Sequence, residues 1–166
     1  MNQSSLPTKK HSTRHYEMYS GAMSEDSVAT ILRFHLLTEY YLEQMIRLVL
    51  SRGDRIIDSG NYSYAQKLGI VEASDKIGDK LISSLRNLNK LRNKCSHELN
   101  HQITDSDLER VGSPLGKFWT QIKNEQTSTR AKLGHLCGTI SAALGVELDD
   151  LEQVFHGVTH DSADDA

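Results

Sequence analysis

The spacing of the apolar residues is the feature that most constrains how this chain can fold. They recur every three or four positions along most of its length, and no stretch shows the polar-apolar alternation of a half-buried strand. No Asn-Gly or Asp-Gly pair is present to form the tight turn of a β-hairpin. The sequence therefore predicts an all-α fold, a bundle of about five helices.

The length of 166 residues suits one domain. We expect residues 21–155 to form a single helical domain, with disordered polar tails over 1–20 and 156–166. No apolar run approaches the roughly 20 residues that cross a bilayer, and the N-terminus lacks a signal peptide, so we expect no membrane association. The two cysteines are too few for a disulfide framework, which favours a cytoplasmic protein.

Caps and glycines predict where individual helices begin and end. The first long helix is expected from Ser24, its N-cap, to about Gly53, and it is apolar around most of its circumference. Such a helix lies centrally or contacts another subunit. The other expected elements are a short helix over 62–68 stopped by Gly69, a long helix from Ser74, a turn capped by Thr104, a helix from Ser113-Pro114, a long helix over 128–144 stopped by Gly145, and a short helix over 148–155.

Two polar residues lie within the apolar stripe of the first long helix. They are His35 and Glu39, four positions apart and therefore on one face. Burying an unpaired carboxylate is costly, so we expect Glu39 to have a cationic partner. His35 and an arginine from another helix, such as Arg92, are the candidates.

Charge is distributed unevenly along the chain. The net charge is −3, yet the stretch from Lys80 to His97 contains no acidic residue. Its basic residues are Lys80, Arg86, Lys90, Arg92 and Lys94. Such a helix can bind an anionic partner or simply present a solvated face, and charge alone leaves both interpretations open.

The segment from Leu88 to His101 carries most of the chemically capable side chains. Arg92 lies five residues before His97 and is followed directly by Asn93. The segment also contains the zinc-protease pattern H-E-x-x-H, from His97 to His101. The Arg-to-His spacing is not specific, because Arg130 and His135 repeat it. The neighbouring asparagine and the basic surroundings distinguish the first pair.

This motif resembles that of the HEPN superfamily, in which an Arg, a polar residue and then a His lie on a small antiparallel helical bundle. The segment RFHLLTEYYLEQMIRLVL (33–50) resembles the first long helix of such proteins. The segments YSYAQKLGIV (62–71) and ISSLRNLNKLRNKCSH (82–97) are similar to the mannitol-operon-repressor-like branch. The resemblance covers about residues 30–100. It departs at Leu99, where many HEPN toxins with nucleotidyltransferase partners have a Tyr two residues after the His.

The resemblance implies a metal-independent endoribonuclease without cofactor, formed by a homodimer in which Arg92 of one subunit approaches His97 of its mate. His97 would act as acid or base, Arg92 would hold the phosphate, and Asn93 would orient either group. The supporting residues are His35 and Glu39, and the residues expected to bind the RNA backbone are Arg86, Lys90 and Lys94. Such proteins act in stress response, phage defence or toxin systems, where a protein regulator or antitoxin can restrain them.

Three alternatives use the same residues differently. The first is a non-catalytic HEPN-like interaction or transcription-regulatory module, in which Arg92 and His97 only support the fold. The second is a zinc hydrolase using His97, Glu98 and His101, for which no third ligand has a diagnostic spacing. The third is a thiol enzyme using Cys95, a residue that the apolar stripe predicts to be buried.

Overall fold

A computed structural model describes residues 8–98 and 100–161, with side chains described over 13–98 and 100–155. The helices are α1 (Thr8–Ala22), α2 (Ser27–Val49), α3 (Gly53–Asp58), α4 (Tyr64–Ala73), α5 (Asp79–His97), α6 (Asp105–Gly112), α7 (Lys117–Glu125) and α8 (Thr129–Asp161), with a 3-10 turn over Ser113–Leu115. The all-α prediction is confirmed, and no strand occurs in the described ranges. Three of the eight helices, α3, α6 and α7, have fewer than ten residues.

Helix α2 lies at the centre of the bundle. A central position was one of the two alternatives predicted for this apolar helix, the other being a contact with another subunit. It contacts α1, α3, α4, α5 and α8, so nearly its whole circumference meets other helices. Its fully buried side chains include Phe34, Tyr41, Leu42 and Met45. They belong to one buried apolar cluster that extends through the other long helices.

The N-termini of two helices differ from the predicted positions. Asp26, not Ser24, caps α2, and its carboxylate accepts a hydrogen bond from Val28 N at 2.8 Å. Helix α5 begins at Asp79 rather than after Ser74, because Asp75 adopts a left-handed φ of 55° that cannot continue a helix. The predicted cap at Thr104 is confirmed as a capping box with Asp107.

Two glycines predicted to stop helices lie inside them. Helix α4 passes through Gly69 to Ala73, and α8 passes through Gly145 and absorbs the short helix expected over 148–155. An added Cβ at Gly145 would lie 3.0 Å from the His15 ring, so this glycine allows α1 to approach α8. Conversely, the helix expected from Ser113 is divided at Gly116, whose φ of 61° separates the 3-10 turn from α7.

Where the structure describes the two predicted tails, it contains helix. Residues 8–22 form α1, where Tyr19 donates to the Gly134 carbonyl at 2.9 Å and His15 lies between Tyr41 (2.7 Å) and Asp149 (3.0 Å). At the other end α8 continues to Asp161. Residues 1–7 and 162–166 of those tails lie outside the described residues. No helix in the described ranges is long and apolar enough to cross a membrane.

Candidate functional site

The candidate site is the outer face of the C-terminal half of α5. The predicted apolar stripe of this helix is buried, through Leu81, Leu85, Leu88, Leu91 and Cys95. Helical periodicity then turns the opposite residues to solvent. Arg86, Lys90, Asn93 and His97 follow one another at intervals of four, three and four, and all four are exposed. They form a continuous polar ridge.

Arg92 lies on the side of α5 that faces α2. It is half-buried, and its Nη1 donates to Oδ1 of Asn93 at 3.2 Å. On that side His35 is hydrogen-bonded through Nε2 to Oδ1 of Asn89 at 2.9 Å. Burial lowers the pKa of His35, and the nearby charge of Arg92 lowers it further against the opposing effect of the Asn89 hydrogen bond. A neutral imidazole therefore borders the guanidinium.

His97 is the last residue of α5 and is exposed. The negative end of the helix dipole lies here, where the last turn also contains the basic Lys94. Residues five apart point about 140° away from each other around a helix. One chain therefore does not turn Arg92 and His97 onto the same face.

The three residues predicted to bind the RNA backbone have different environments. Arg86 pairs with Glu72 of α4 at 2.7 Å, an exposed contact of little strength. Lys94 pairs at 3.2 Å with Asp107 of α6, whose carboxylate is buried. Lys90 is exposed and has no acidic partner among the described residues. The basic run is thus partly neutralised by acids from other helices.

The expected partner of Glu39 was wrong. Neither His35 nor an arginine pairs with it; instead, the buried Lys67 of α4 contacts Glu39 at 2.8 Å and Glu43 at 2.5 Å. Lys67 was missed, although it follows Tyr64 by three positions and precedes Val71 by four on the buried side of α4. A lysine at such a spacing indicates a buried acid nearby.

His35 is buried and packs its ring against Tyr64, with ring centroids 4.0 Å apart. Its Nδ1 has no hydrogen-bond partner in the described structure. The Tyr64 hydroxyl in turn lies 3.0 Å from Oγ1 of Thr38. His35 is thus in place to hold Asn89 beside Arg92, whereas Glu39 is committed to Lys67.

The zinc pattern does not form the geometry of a zinc protease. Helix α5 ends at His97 and Glu98 is its C-cap, so His97 and His101 do not share a helical face. His101 lies instead 3.1 Å from Glu98 and 3.2 Å from Asp107, which sequence reasoning had not connected with it. The described residues contain no group of three metal-ligating side chains suited to an ion.

The surroundings of two other candidate site residues, Cys95 and Arg130, indicate structural roles. Cys95 is buried, and burial raises its pKa, so it lacks the features of an activated thiol. Arg130 repeats the spacing of Arg92 but is held by Glu25 through the backbone carbonyl and, at 3.7 Å, through the carboxylate. Arg130 therefore connects α8 to Glu25, the residue before the N-cap of α2.

Comparisons of the chain with known protein families, characterised proteins and solved structures find no match. The chemistry of the site must therefore be argued from its own residues. An exposed imidazole, a guanidinium without an acidic partner in the described ranges, and an amide lie within two turns of α5. Together they can move a proton and bind an anion.

Proposed function

We propose that the chain is a metal-independent endoribonuclease of HEPN type, active as a homodimer through Arg92, Asn93 and His97. One observation carries the proposal. Arg92 and His97 both reach solvent, and neither is paired with a carboxylate anywhere in the described residues. The N–H groups of Arg92 are therefore available to an anion, whereas Arg130 is held by Glu25.

The reaction is an internal transesterification that needs no co-reactant. The ribose 2′-oxygen attacks the adjacent phosphorus, the bond from phosphorus to the 5′-oxygen breaks, and a cyclic phosphate and a 5′-hydroxyl result. The proton lost by the 2′-hydroxyl equals the one that the leaving 5′-oxygen gains, and His97 carries it, first as base and then as acid. Arg92 binds the phosphate through two N–H groups and stabilises its developing charge, while Asn93 orients it.

The dimer supplies the geometry that one helix cannot. Because Arg92 and His97 lie on different faces of α5, a composite site takes one of them from each subunit. Leu36, next to His35 on α2, is 62% exposed and offers apolar surface for the second subunit. The proposal includes a protein regulator or antitoxin, because an unrestrained ribonuclease would damage its own cell.

Cleavage of a labelled single-stranded RNA tests the proposal. We expect cleavage to persist with chelator and to fall at least about 100-fold in Arg92→Ala and in His97→Ala, the typical effect of removing an acid-base group. The matched control is the double variant of Arg130 and His135 to Ala, which removes the same residue types at the same spacing. Wild type that leaves RNA intact, or equal losses in the control, would instead support the non-catalytic module.

Mixing the two inactive variants tests the composite site. If Arg92 and His97 act across the dimer, each heterodimer of Arg92→Ala with His97→Ala contains one complete site. Statistical exchange makes half of the dimers heterodimers, so about one quarter of wild-type activity should return. No recovery, with subunit exchange verified by mass spectrometry, would contradict the arrangement.

A further inference from the structure

A small cleft lies between α5 and α6, on the flank of α5 opposite to α2. Its volume is about 100 Å³, and its lining is Asn87, Lys90, Leu91 and Lys94 from α5 with Asp107 and Arg110 from α6. Arg110 had not been connected with the basic run of α5, because it lies beyond the end of that helix in sequence. The packing of the two helices places it opposite Lys90 and Lys94.

The walls of this cleft are fixed by hydrogen bonds between the two helices. Asn87 Nδ2 donates to the Arg110 carbonyl at 2.8 Å, and one turn earlier Ser84 Oγ donates to the Val111 carbonyl at 2.7 Å. Lys94 closes the other end through its 3.2 Å contact with Asp107. The cleft is therefore a preformed feature of the helix pair.

The cleft has an excess of positive charge. Three cations meet one carboxylate, and that carboxylate is already committed: Asp107 accepts hydrogen bonds from the Thr104 backbone and hydroxyl as well as from Lys94. Burial acts to raise the pKa of Asp107, but these bonds outweigh it and the pKa is lowered. Lys90 and Arg110 have no acidic partner among the described residues, so they are available to an anion.

The volume limits what that anion can be. A water molecule occupies about 30 Å³ of liquid, so the cleft holds the equivalent of roughly three waters. Pockets that enclose whole small molecules measure about 300 Å³ or more. The space thus fits one anionic group, and lysine and arginine are the side chains that bind phosphate best.

We infer that this cleft is a phosphate-binding subsite, with Lys90 and Arg110 as its principal ligands. The phosphate can belong to a nucleic-acid backbone or to a free phosphate compound. In the first case the inference rests on the proposed function: Lys90 precedes His97 on the same ridge by seven residues, about 10 Å along the helix. A strand cleaved at His97 would then be held by the cleft about 10 Å from the cleaved bond.

The test uses the double variant of Lys90 and Arg110 to Gln, and as a matched control the double variant of Lys117 and Arg55 to Gln. Each removes one lysine and one arginine, and the control residues are exposed and do not line the cleft. Lys94 stays unchanged because its loss would remove the lysine that pairs with the buried carboxylate of Asp107. Thermal denaturation of each variant verifies folding.

In the RNA arm, a short 2′-O-methyl RNA, which lacks the attacking hydroxyl, is bound at several KCl concentrations. Each phosphate contact contributes about 0.7 to the slope of log affinity against log salt. The loss of two contacts should therefore reduce this slope by about 1.4 in the cleft variant. If the variant and the wild type bind equally at 1 M salt, this difference in slope makes the variant bind RNA about 25-fold more weakly at 0.1 M. In the phosphate arm, inorganic phosphate at matched ionic strength should raise the denaturation midpoint of wild type and control only.

The outcomes separate the two proposals. A reduced salt slope in the cleft variant supports a subsite for backbone phosphate, and loss of phosphate stabilisation in a protein that binds no RNA supports a free-phosphate site while contradicting the nuclease. If the cleft variant equals the control in both arms, the inference is overturned, although RNA cleavage through His97 can still be observed.

Discussion

Replacing Gly112 with alanine tests the packing that holds α6, and with it Arg110, in place. Gly112 is the last residue of α6 and is buried against Trp119. An added Cβ would lie 2.3 Å from Cδ2 and 2.5 Å from Cε3 of the indole. Because Trp119 is only 2% exposed and its Nε1 donates to Glu109 at 2.8 Å, the ring cannot move into open space. The indole and α6 must therefore separate.

The expected cost follows from these contacts. Overpacking a filled core costs about 1–3 kcal/mol, and a weakened Trp119 hydrogen bond adds about 1 kcal/mol. Alanine also lowers the backbone entropy of the unfolded chain, which offsets about 0.5–1 kcal/mol of this loss. The net loss is roughly 2 kcal/mol, or about 6 °C in Tm for a domain of this size.

Gly69→Ala is the matched control, because this helical glycine in α4 is exposed and an added Cβ would meet nothing within 4 Å. It should raise the free energy of unfolding by about 0.5–1 kcal/mol. Urea denaturation followed by circular dichroism and by fluorescence of Trp119, the single tryptophan, measures both changes. Stabilisation by both substitutions would refute the reasoning, as would failure of Trp119→Leu to relieve the Gly112→Ala defect.

Two further predictions concern buried charges. Lys67→Met should lower the free energy of unfolding by about 2 kcal/mol in urea denaturation, since Glu39 and Glu43 then repel each other without a cation, and adding Glu43→Gln should restore part of it. Asp107 has a lowered pKa, so its stabilisation is present above the unfolded value of about 3.9 and is lost as the pH falls through its lower folded value. The difference in unfolding free energy between wild type and Asp107→Asn should therefore be constant at neutral pH and shrink in acid; an unchanged difference at low pH would contradict this.

The ridge of α5 could be predicted because helical periodicity is a local property. Once Leu81, Leu85 and Leu88 are assigned to the core, a rise of 1.5 Å and a turn of 100° per residue place Asn93 and His97 on the outer face whatever the helix packs against. The same periodicity showed α2 to be apolar around most of its circumference, which left a central position and a subunit contact as alternatives. The packing of α2 against five other helices selects the central position.

Helix ends were harder to predict, because a glycine or a polar run has different consequences in different packings. Gly69 and Gly145 continue their helices, whereas Gly116 interrupts one, and no local pattern separates the three. Helix α1 was missed because it docks through His15 and Tyr19 rather than through an aliphatic stripe. Contacts with Gly134 and Asp149 of α8 stabilise it.

The apolar pattern of this chain was enough to establish a helical bundle and the outward direction of Lys90, Asn93 and His97. The pairing of its charges was not in that pattern. The ion-pair partners Lys67 and Glu39 are separated by 28 residues in sequence, and the like-charged Lys90 and Arg110, which line one cleft, are separated by 20. An ion pair carries no local periodicity, so its partner is selected only when packed helices bring distant side chains within a few ångströms.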